Sequence, residues 1–129
     1  MRRAGVAEHT RIVGHVGNDD LAALYQLSEC LLLTSAYEGF GLPPLEAMAS
    51  GTPVAVFDNS SLREVVGDAA LVAPDGDSVA MAGTVAALLA DQGEQQRRSL
   101  MGRQRAPAFT WERTATATLD VYQGVLGAR

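Results

Sequence analysis

The sequence predicts one α/β domain built on a parallel sheet, and three observations support this class. The chain has 129 residues, 47% of them apolar and 19% charged, which suits one buried core and excludes a disordered chain. Short apolar runs alternate with longer amphipathic stretches, as they do where strands are joined by helices. The run Cys30–Leu33 is apolar without a break, which indicates burial on both faces of a parallel sheet.

The first three predicted elements are a strand, a helix and a second strand. Arg11–Val16 is short and contains β-branched residues, so it is predicted to be a strand. An amphipathic helix follows, capped by Asn18 or Asp19 and running to about Glu29. Cys30–Leu33 is the second predicted strand.

A polar loop over residues 34–41 leads into a short predicted helix, Leu42–Ser50. Pro43 and Pro44 stand at its start, where helical N–H groups have no partner in any case, and Gly51 follows its end. This placement of proline and glycine is typical of the two ends of one helix.

The second half of the chain continues the alternation of strands and helices. In chain order it predicts a strand Pro53–Phe57, a helix capped by Ser60 or Ser61, a strand Ala69–Val72, a helix from Asp77 or Ser78 to about Ala90, a helix Gln92–Ala106 and a last helix capped by Thr110. The apolar contacts predicted for that last helix are Trp111, Leu119, Tyr122 and Leu126. Residues 1–129 are therefore predicted to form one Rossmann-like domain.

Charge and cysteine content exclude several classes of protein. The net charge is −5, which argues against a nucleic-acid-binding surface. A single cysteine, Cys30, excludes a disulfide scaffold and fits a reducing compartment. No apolar run approaches the length of about 18 residues that a membrane span requires, and Glu8 and Arg11 lie where a secretory leader would be apolar. We therefore expect a cytoplasmic protein.

The segment between residues 38 and 54 carries the predicted chemistry. It follows a strand and opens a helix, so it lies at the carboxyl end of the sheet, where open α/β sheets bind ligands. Gly39 and Gly41 allow the backbone to approach a ligand closely and to adopt conformations closed to other residues. The N–H groups of Phe40, Gly41 and Leu42 are then expected to face an anion, such as a diphosphate, at the positive end of the helix dipole.

Two carboxylates, Glu38 and Glu46, are predicted to flank that anion site. Glu38 precedes the turn, and Glu46 is placed in the first turn of the helix. Carboxylates repel phosphate, so we expect them to accept hydrogen bonds from hydroxyl groups at either end of it, one on a sugar and one on a ribose. The alternative for Glu46 is a helix-start residue that only complements the helix dipole.

The residues of this segment resemble a known family. The run Glu-Gly-Phe-Gly-Leu-Pro…Glu-Ala-Met-Ala…Gly-Thr-Pro-Val resembles the Glu-x7-Glu signature of retaining glycosyltransferases of the GT-B fold, family 4 (group 1). The likeness extends to Val13–Val16 before the signature, to Ser61–Asp68 after it, and to Phe109–Glu112 at the last helix. Thr34-Ser35 stands where the family has Pro-Ser.

This resemblance implies roles for individual residues. Glu46 would bind the ribose hydroxyls of a nucleotide diphosphate sugar, and Glu38 would be the catalytic residue near the transferred sugar. Transfer would retain the anomeric configuration and need neither a metal at the diphosphate nor a cofactor beyond the donor itself. The amides expected to contact donor phosphate or sugar belong to Gly39, Phe40, Gly41 and Leu42. Further candidates for lining the pocket are Ser35, Tyr37 and His15.

The resemblance covers only the later part of a donor-binding domain. The acceptor domain, the first strands of the donor domain and the Arg/Lys pair that neutralises the diphosphate have no counterpart here, and the chain contains no lysine. We therefore expect the isolated chain to be inactive and to need a missing N-terminal half or a second copy as partner. Right-handed crossovers would also leave one sheet face without helices. The alternatives are a non-catalytic module that binds nucleotide sugar or a partner protein, and a fragment of a GT-B-like nucleotide-sugar epimerase.

Three other features have simpler interpretations. Asp75-Gly76-Asp77 is predicted to be a turn followed by a helix cap rather than a metal site, and Cys30 is predicted to be a core residue. A cluster of arginines is predicted to form a solvated helix face, with contact to another domain or to an anionic membrane as the alternative. The cluster consists of Arg97, Arg98, Arg103 and Arg105.

Overall fold

The computed structural model describes residues 5–127, which form a three-stranded parallel sheet covered by helices. The strands are Leu31–Leu33 (β1), Val54–Phe57 (β2) and Leu71–Ala73 (β3), in the order β1-β2-β3. Leu31 is in register with Val54, and Ala55 with Leu71. The predicted parallel α/β sheet is therefore confirmed.

Within residues 5–127, six α-helices and three short 3-10 turns connect and cover the strands. The helices are Asn18–Leu27 (α1), Leu42–Ser50 (α2), Leu62–Val66 (α3), Ser78–Ala90 (α4), Gln92–Arg105 (α5) and Trp111–Gly127 (α6). The 3-10 turns are Ala7–His9, Gly67–Ala69 and Ala106–Ala108. Both ends of α2 lie where the proline and glycine pattern predicts them. No helix within residues 5–127 is long and apolar enough to cross a bilayer.

The core lies on both faces of β2, whose four residues are all buried. Val54 and Val56 join a cluster with residues of α2 and α3, while Ala55 and Phe57 pack with Met81 of α4. Successive strand residues point to opposite faces of a sheet. Helices α2 and α3 therefore cover one face of β2, and α4 covers the other. The expectation of a bare face is wrong, because α4 follows the last strand and is not bound by the crossover rule.

The first strand, β1, is less buried than its sequence predicts. Leu31 and Leu33 pack against the core, but Leu32 is 49% exposed. α4 packs over β2 and β3, so this helix does not cover the second face of β1. Cys30 is half-buried and packs against the cluster that contains Ala55, Phe57 and Met81. Burial raises the pKa of its thiol.

Two predictions for the N-terminal part of the chain are wrong. Arg11–Val16 is irregular rather than a strand, and Ile12 is 79% exposed. A strand needs a hydrogen-bonded neighbour, and none of the described residues pairs with this segment. The predicted capping bond from Asn18 or Asp19 is also absent at the start of α1, because both residues already belong to the helix and Gly17 takes the cap position.

Three of the four clustered arginines on α5 bind backbone carbonyls, so the predicted solvated face is only partly present. Arg103 and Arg105 bind the last carbonyls of α2 and α3, which have no partner within their helices and lie at the negative end of the helix dipole. Arg97 and Arg103 are exposed. Arg97 and Arg98 pair with Glu94 and lower the pKa of that carboxyl to about 2. The carbonyl acceptors are Asp68 and Ala70 for Arg98, Ser50 for Arg103, and Glu64 and Val65 for Arg105.

The last helix, α6, is capped as predicted but packs differently. The Arg113 N–H donates to Thr110 Oγ1 over 3.2 Å. No residue of α6 is buried, because the sheet faces are already covered before the chain reaches it. The contacts predicted for its apolar residues are therefore wrong, since all four are more than half exposed, namely Trp111, Leu119, Tyr122 and Leu126.

Removing a core side chain beneath the glycine turn is expected to destabilise the whole domain. Leu62 is fully buried, so Leu62→Ala should lower the free energy of unfolding by about 2–5 kcal/mol through lost burial and a residual cavity. Leu119 is 54% exposed, and Leu119→Ala should change it by less than about 0.5 kcal/mol. Urea denaturation compares the two variants. Equal losses would contradict the described core.

Candidate functional site

The glycine turn before α2 lies at the carboxyl end of β1. Gly41 has φ +103° and occupies the cap position of α2, and a Cβ there would lie 3.0 Å from Leu62 Cδ2. Glycine is therefore required at Gly41, as predicted. At Gly39 the backbone is not left-handed and a Cβ would meet open space, so the conformational requirement predicted for Gly39 is wrong.

Four consecutive N–H groups lie in this turn, and of the residues that carry them Gly39, Phe40 and Leu42 are exposed while Gly41 is buried. The amides of Gly39, Phe40, Gly41 and Leu42 donate to no acceptor within residues 5–127. Pro43 next in the chain has no N–H to offer, so the donors come from the turn itself. Unpaired amides at the positive end of a helix are suited to an anion.

Side chains of the loop after β2 hold this turn. The Glu38 N–H donates to Ser60 Oγ over 3.1 Å. Ser61 Oγ donates to the carbonyls of Glu38 and Phe40, over 3.1 and 2.9 Å. Neither serine makes the predicted capping bond to α3, because both hydroxyls bond across to the neighbouring loop. Only the tertiary structure brings the two loops together, so no local signal in the sequence indicates these bonds.

The loops after all three strands are connected through one amide side chain. Asn59 Nδ2 donates to the Ser35 carbonyl over 3.0 Å and to Asp75 Oδ1 over 2.6 Å.

Asp77 accepts from two amides in the first turn of α4, so the predicted turn and helix cap are confirmed. Among the residues that the structure describes, no group of three or more His, Cys, Asp or Glu side chains is placed to hold a metal ion.

Glu46 is held by Tyr25 of α1, a residue that no local sequence signal connects with the site. Tyr25 Oη donates to Glu46 Oε2 over 3.2 Å, and burial, the nearby carboxylate charge and this hydrogen bond raise the pKa of Tyr25 to about 12. The buried Thr52 donates to the Tyr25 carbonyl over 2.5 Å and joins α1 to the segment between α2 and β2. Glu46 is the fifth residue of α2, so its predicted place in the first helical turn is wrong.

A groove of about 580 Å³ lies beside the turn, between α2 and the start of α6. Phe40, Leu42 and Glu46 line it, so three of the predicted site residues share one surface. The Phe40 and Phe109 rings meet edge to face at 6.1 Å, and the Arg105 guanidinium lies 5.3 Å from the centre of the Phe109 ring. Aromatic and acidic groups together suit a ligand with both apolar and hydroxylated parts.

Six of the predicted site residues do not line this groove, and Gly39 and Gly41 of the turn are two of them. Glu38 is half-buried and is joined to the Ser60 and Ser61 loop through its backbone. Tyr37 is 77% exposed, and His15 lies exposed in the irregular segment before α1. Ser35 contributes its carbonyl to Asn59. Their functional roles stay predictions.

The fold defines a domain of the open, parallel α/β class. The unpaired amides follow the carboxyl end of β1, the end of the sheet at which this class binds ligands. Residues 1–105 match the family described as Glycosyl transferases group 1. The chain belongs to this family, as the resemblance implied.

Individual relatives agree with this assignment. The chain is 40% identical to O-antigen chain mannosyltransferase B of Escherichia coli, over 88% of this chain and 30% of that protein. It is 38% identical to glycogen synthase of Mycobacterium tuberculosis (strain CDC 1551 / Oshkosh), over 94% of this chain and 30% of that protein. The chain therefore spans about a third of the length of the curated relatives it matches.

A solved structure shows the same architecture. Sucrose-phosphate synthase from Thermosynechococcus elongatus superposes with a TM-score of 0.88 at 29% identity, covering 99% of this chain and 33% of that one. The predicted partial GT-B fold is therefore confirmed.

The bond between Tyr25 and Glu46 is expected to make stability depend on alkaline pH. The pKa of Tyr25 rises from 10.0 to about 12 in the folded chain. A group whose pKa is raised by folding stabilises the fold below its unfolded pKa, and this contribution is lost as pH rises through the folded value. The free energy of unfolding of the wild type should therefore fall between about pH 10 and pH 12 relative to Tyr25→Phe.

Urea denaturation over this pH range measures the effect. Tyr37→Phe is the matched control, because Tyr37 is 77% exposed and should follow the wild type. Parallel curves for the wild type and Tyr25→Phe would contradict the described contact.

Proposed function

We propose that this chain is the donor-binding part of a glycosyltransferase that binds a nucleotide diphosphate sugar and transfers the sugar with retention of configuration. The observation that supports it most directly is the set of four unpaired amides at the start of α2, beside an acidic side chain held by Tyr25. Membership of a glycosyltransferase family makes a donor diphosphate the natural anion for these amides.

The amides of Gly39, Phe40, Gly41 and Leu42 bind the diphosphate in this proposal. Backbone N–H groups fixed by a rigid turn need no reorganisation when charge develops on the leaving diphosphate, so they stabilise it efficiently. They carry no net charge, and Arg98, Arg103 and Arg105 are engaged with carbonyls, whereas Arg113 lines the groove. The Arg/Lys pair that the resemblance implies has no counterpart in this sequence. We therefore place that pair in the part of the enzyme that this chain does not include, and expect the chain alone not to turn over donor.

The two glutamates bind the hydroxylated parts of the donor. A carboxylate oxygen that already accepts from Tyr25 leaves the second Glu46 oxygen free for a ribose hydroxyl. Glu38 stands four residues before α2, and the bonds to its N–H and carbonyl hold its backbone at the start of the turn. In the proposal Glu38 faces the transferred sugar, and neither a metal nor a further cofactor takes part.

Titration calorimetry with UDP and with GDP tests the proposal on the 129-residue chain. We expect the chain to bind at least one of them, and Glu46→Gln to weaken that binding by about 1–3 kcal/mol, because a charged acceptor for the ribose hydroxyl is lost. Glu29→Gln is the control: Glu29 is also exposed, but it lies outside the groove. Unchanged affinity in Glu46→Gln would contradict the ribose assignment. Absence of binding to either nucleotide would contradict donor binding.

A further inference from the structure

We propose that Asn59, Ser60 and Ser61, the Asn59–Ser61 cluster, are positioning residues that orient the glycine turn toward the donor diphosphate. This inference rests on the proposed function, because it concerns how the same four amides become available. The cluster lies in the loop after β2, outside the groove, and acts only through the backbone of residues 35–41.

The hydroxyl of Ser61 determines which way two of the amides point. It is shared between the carbonyls of Glu38 and Phe40, so both carbonyls face the cluster. In a trans peptide the C=O of one residue and the N–H of the next point in opposite directions, and no described peptide is cis. The N–H groups of Gly39 and Gly41 must therefore point away from Ser61.

Ser60 holds the beginning of the turn at a conformational cost. Its φ is +45°, which makes it the one non-glycine residue with a left-handed backbone among residues 5–127, and this conformation is strained for a residue with a Cβ. In return its Oγ accepts from the Glu38 N–H over 3.1 Å and donates to Asn59 Oδ1 over 3.2 Å. Strain retained next to a ligand site indicates a functional constraint.

Asn59 makes the arrangement rigid by joining three loops. Its amide donates to the Ser35 carbonyl after β1 and to Asp75 after β3, while its own oxygen accepts from Ser60. The carboxyl ends of all three strands are thus connected through one residue. Donors held in place before the ligand arrives bind it without the entropy cost of ordering a loop.

The first test compares a nucleoside diphosphate with its nucleoside. Ser61→Ala should weaken binding of UDP by about threefold to tenfold, the effect of one or two misaligned hydrogen bonds. Binding of uridine should stay within about twofold, because a nucleoside has no phosphate for the amides to hold. If the chain prefers GDP, guanosine is the paired probe. Ser61→Thr keeps a hydroxyl and should restore wild-type affinity, while Ser78→Ala, at the exposed start of α4, is the matched control.

Three results of this comparison would overturn the proposal. They are an unchanged affinity of Ser61→Ala for UDP, an equal loss for UDP and uridine, and a failure of Ser61→Thr to restore binding. An equal loss would mean that the serine only supports the fold.

A second measurement judges the cluster without any ligand. Ser60→Gly keeps the left-handed backbone without strain but removes the acceptor for the Glu38 N–H. Hydrogen exchange followed by NMR should show that amide exchanging at least about tenfold faster in the variant, since it loses its one bond. Unchanged exchange would overturn the proposal even if UDP binds. If neither UDP nor GDP binds the wild type while exchange accelerates as expected, the proposed donor function fails and the orienting role of the cluster stands.

Discussion

The site depends on one constraint: several backbone amides at the start of α2 must remain without an internal partner. Exposed N–H groups of this kind are a cost unless water or a ligand satisfies them. Gly41 makes the arrangement sterically accessible, because a side chain there would strain the left-handed backbone and press on Leu62. The two prolines that follow keep the chain helical without adding donors of their own. Function at this site is therefore mainly a property of the backbone.

The rest of the fold keeps α2 in place. Gly102 of α5 allows close contact with Met48, since a Cβ at Gly102 would lie 3.1 Å from the Met48 side chain. At the far end of α2, Gly51 turns with φ +87°, and the Arg103 guanidinium occupies the space that a side chain on Gly51 would need. The Arg103 guanidinium thus interacts with the negative end of the α2 dipole, while the positive end remains open to a ligand.

Local signals in the sequence predicted some features accurately. The bounds of α2, the left-handed Gly41 and the caps at Asp77 and Thr110 follow from residue types at short spacing, and all are confirmed. Signals that need a distant partner failed. Arg11–Val16 has strand composition but lacks a neighbour within the described residues, so it stays irregular.

The support of the site was harder to foresee than the site itself. The Asn59–Ser61 cluster bonds to residues more than twenty positions earlier, and Tyr25 lies 21 positions before Glu46. Serines before a short helix fit a capping pattern equally well, and arginines on a polar helix fit a solvated face. Composition alone does not distinguish these outcomes, because the carbonyls and amides that decide them belong to other segments.

The central claim is that the turn amides bind donor phosphate, and backbone NMR on the 129-residue chain tests it most directly. UDP-glucose and GDP-mannose are titrated separately into the isotope-labelled chain, and amide chemical shifts are followed. The account predicts that Gly39, Phe40, Gly41 and Leu42 shift together and saturably with at least one donor, while amides at the opposite end of α2 remain unchanged. Saturable shifts elsewhere in the chain, with these four amides unaffected, would contradict it.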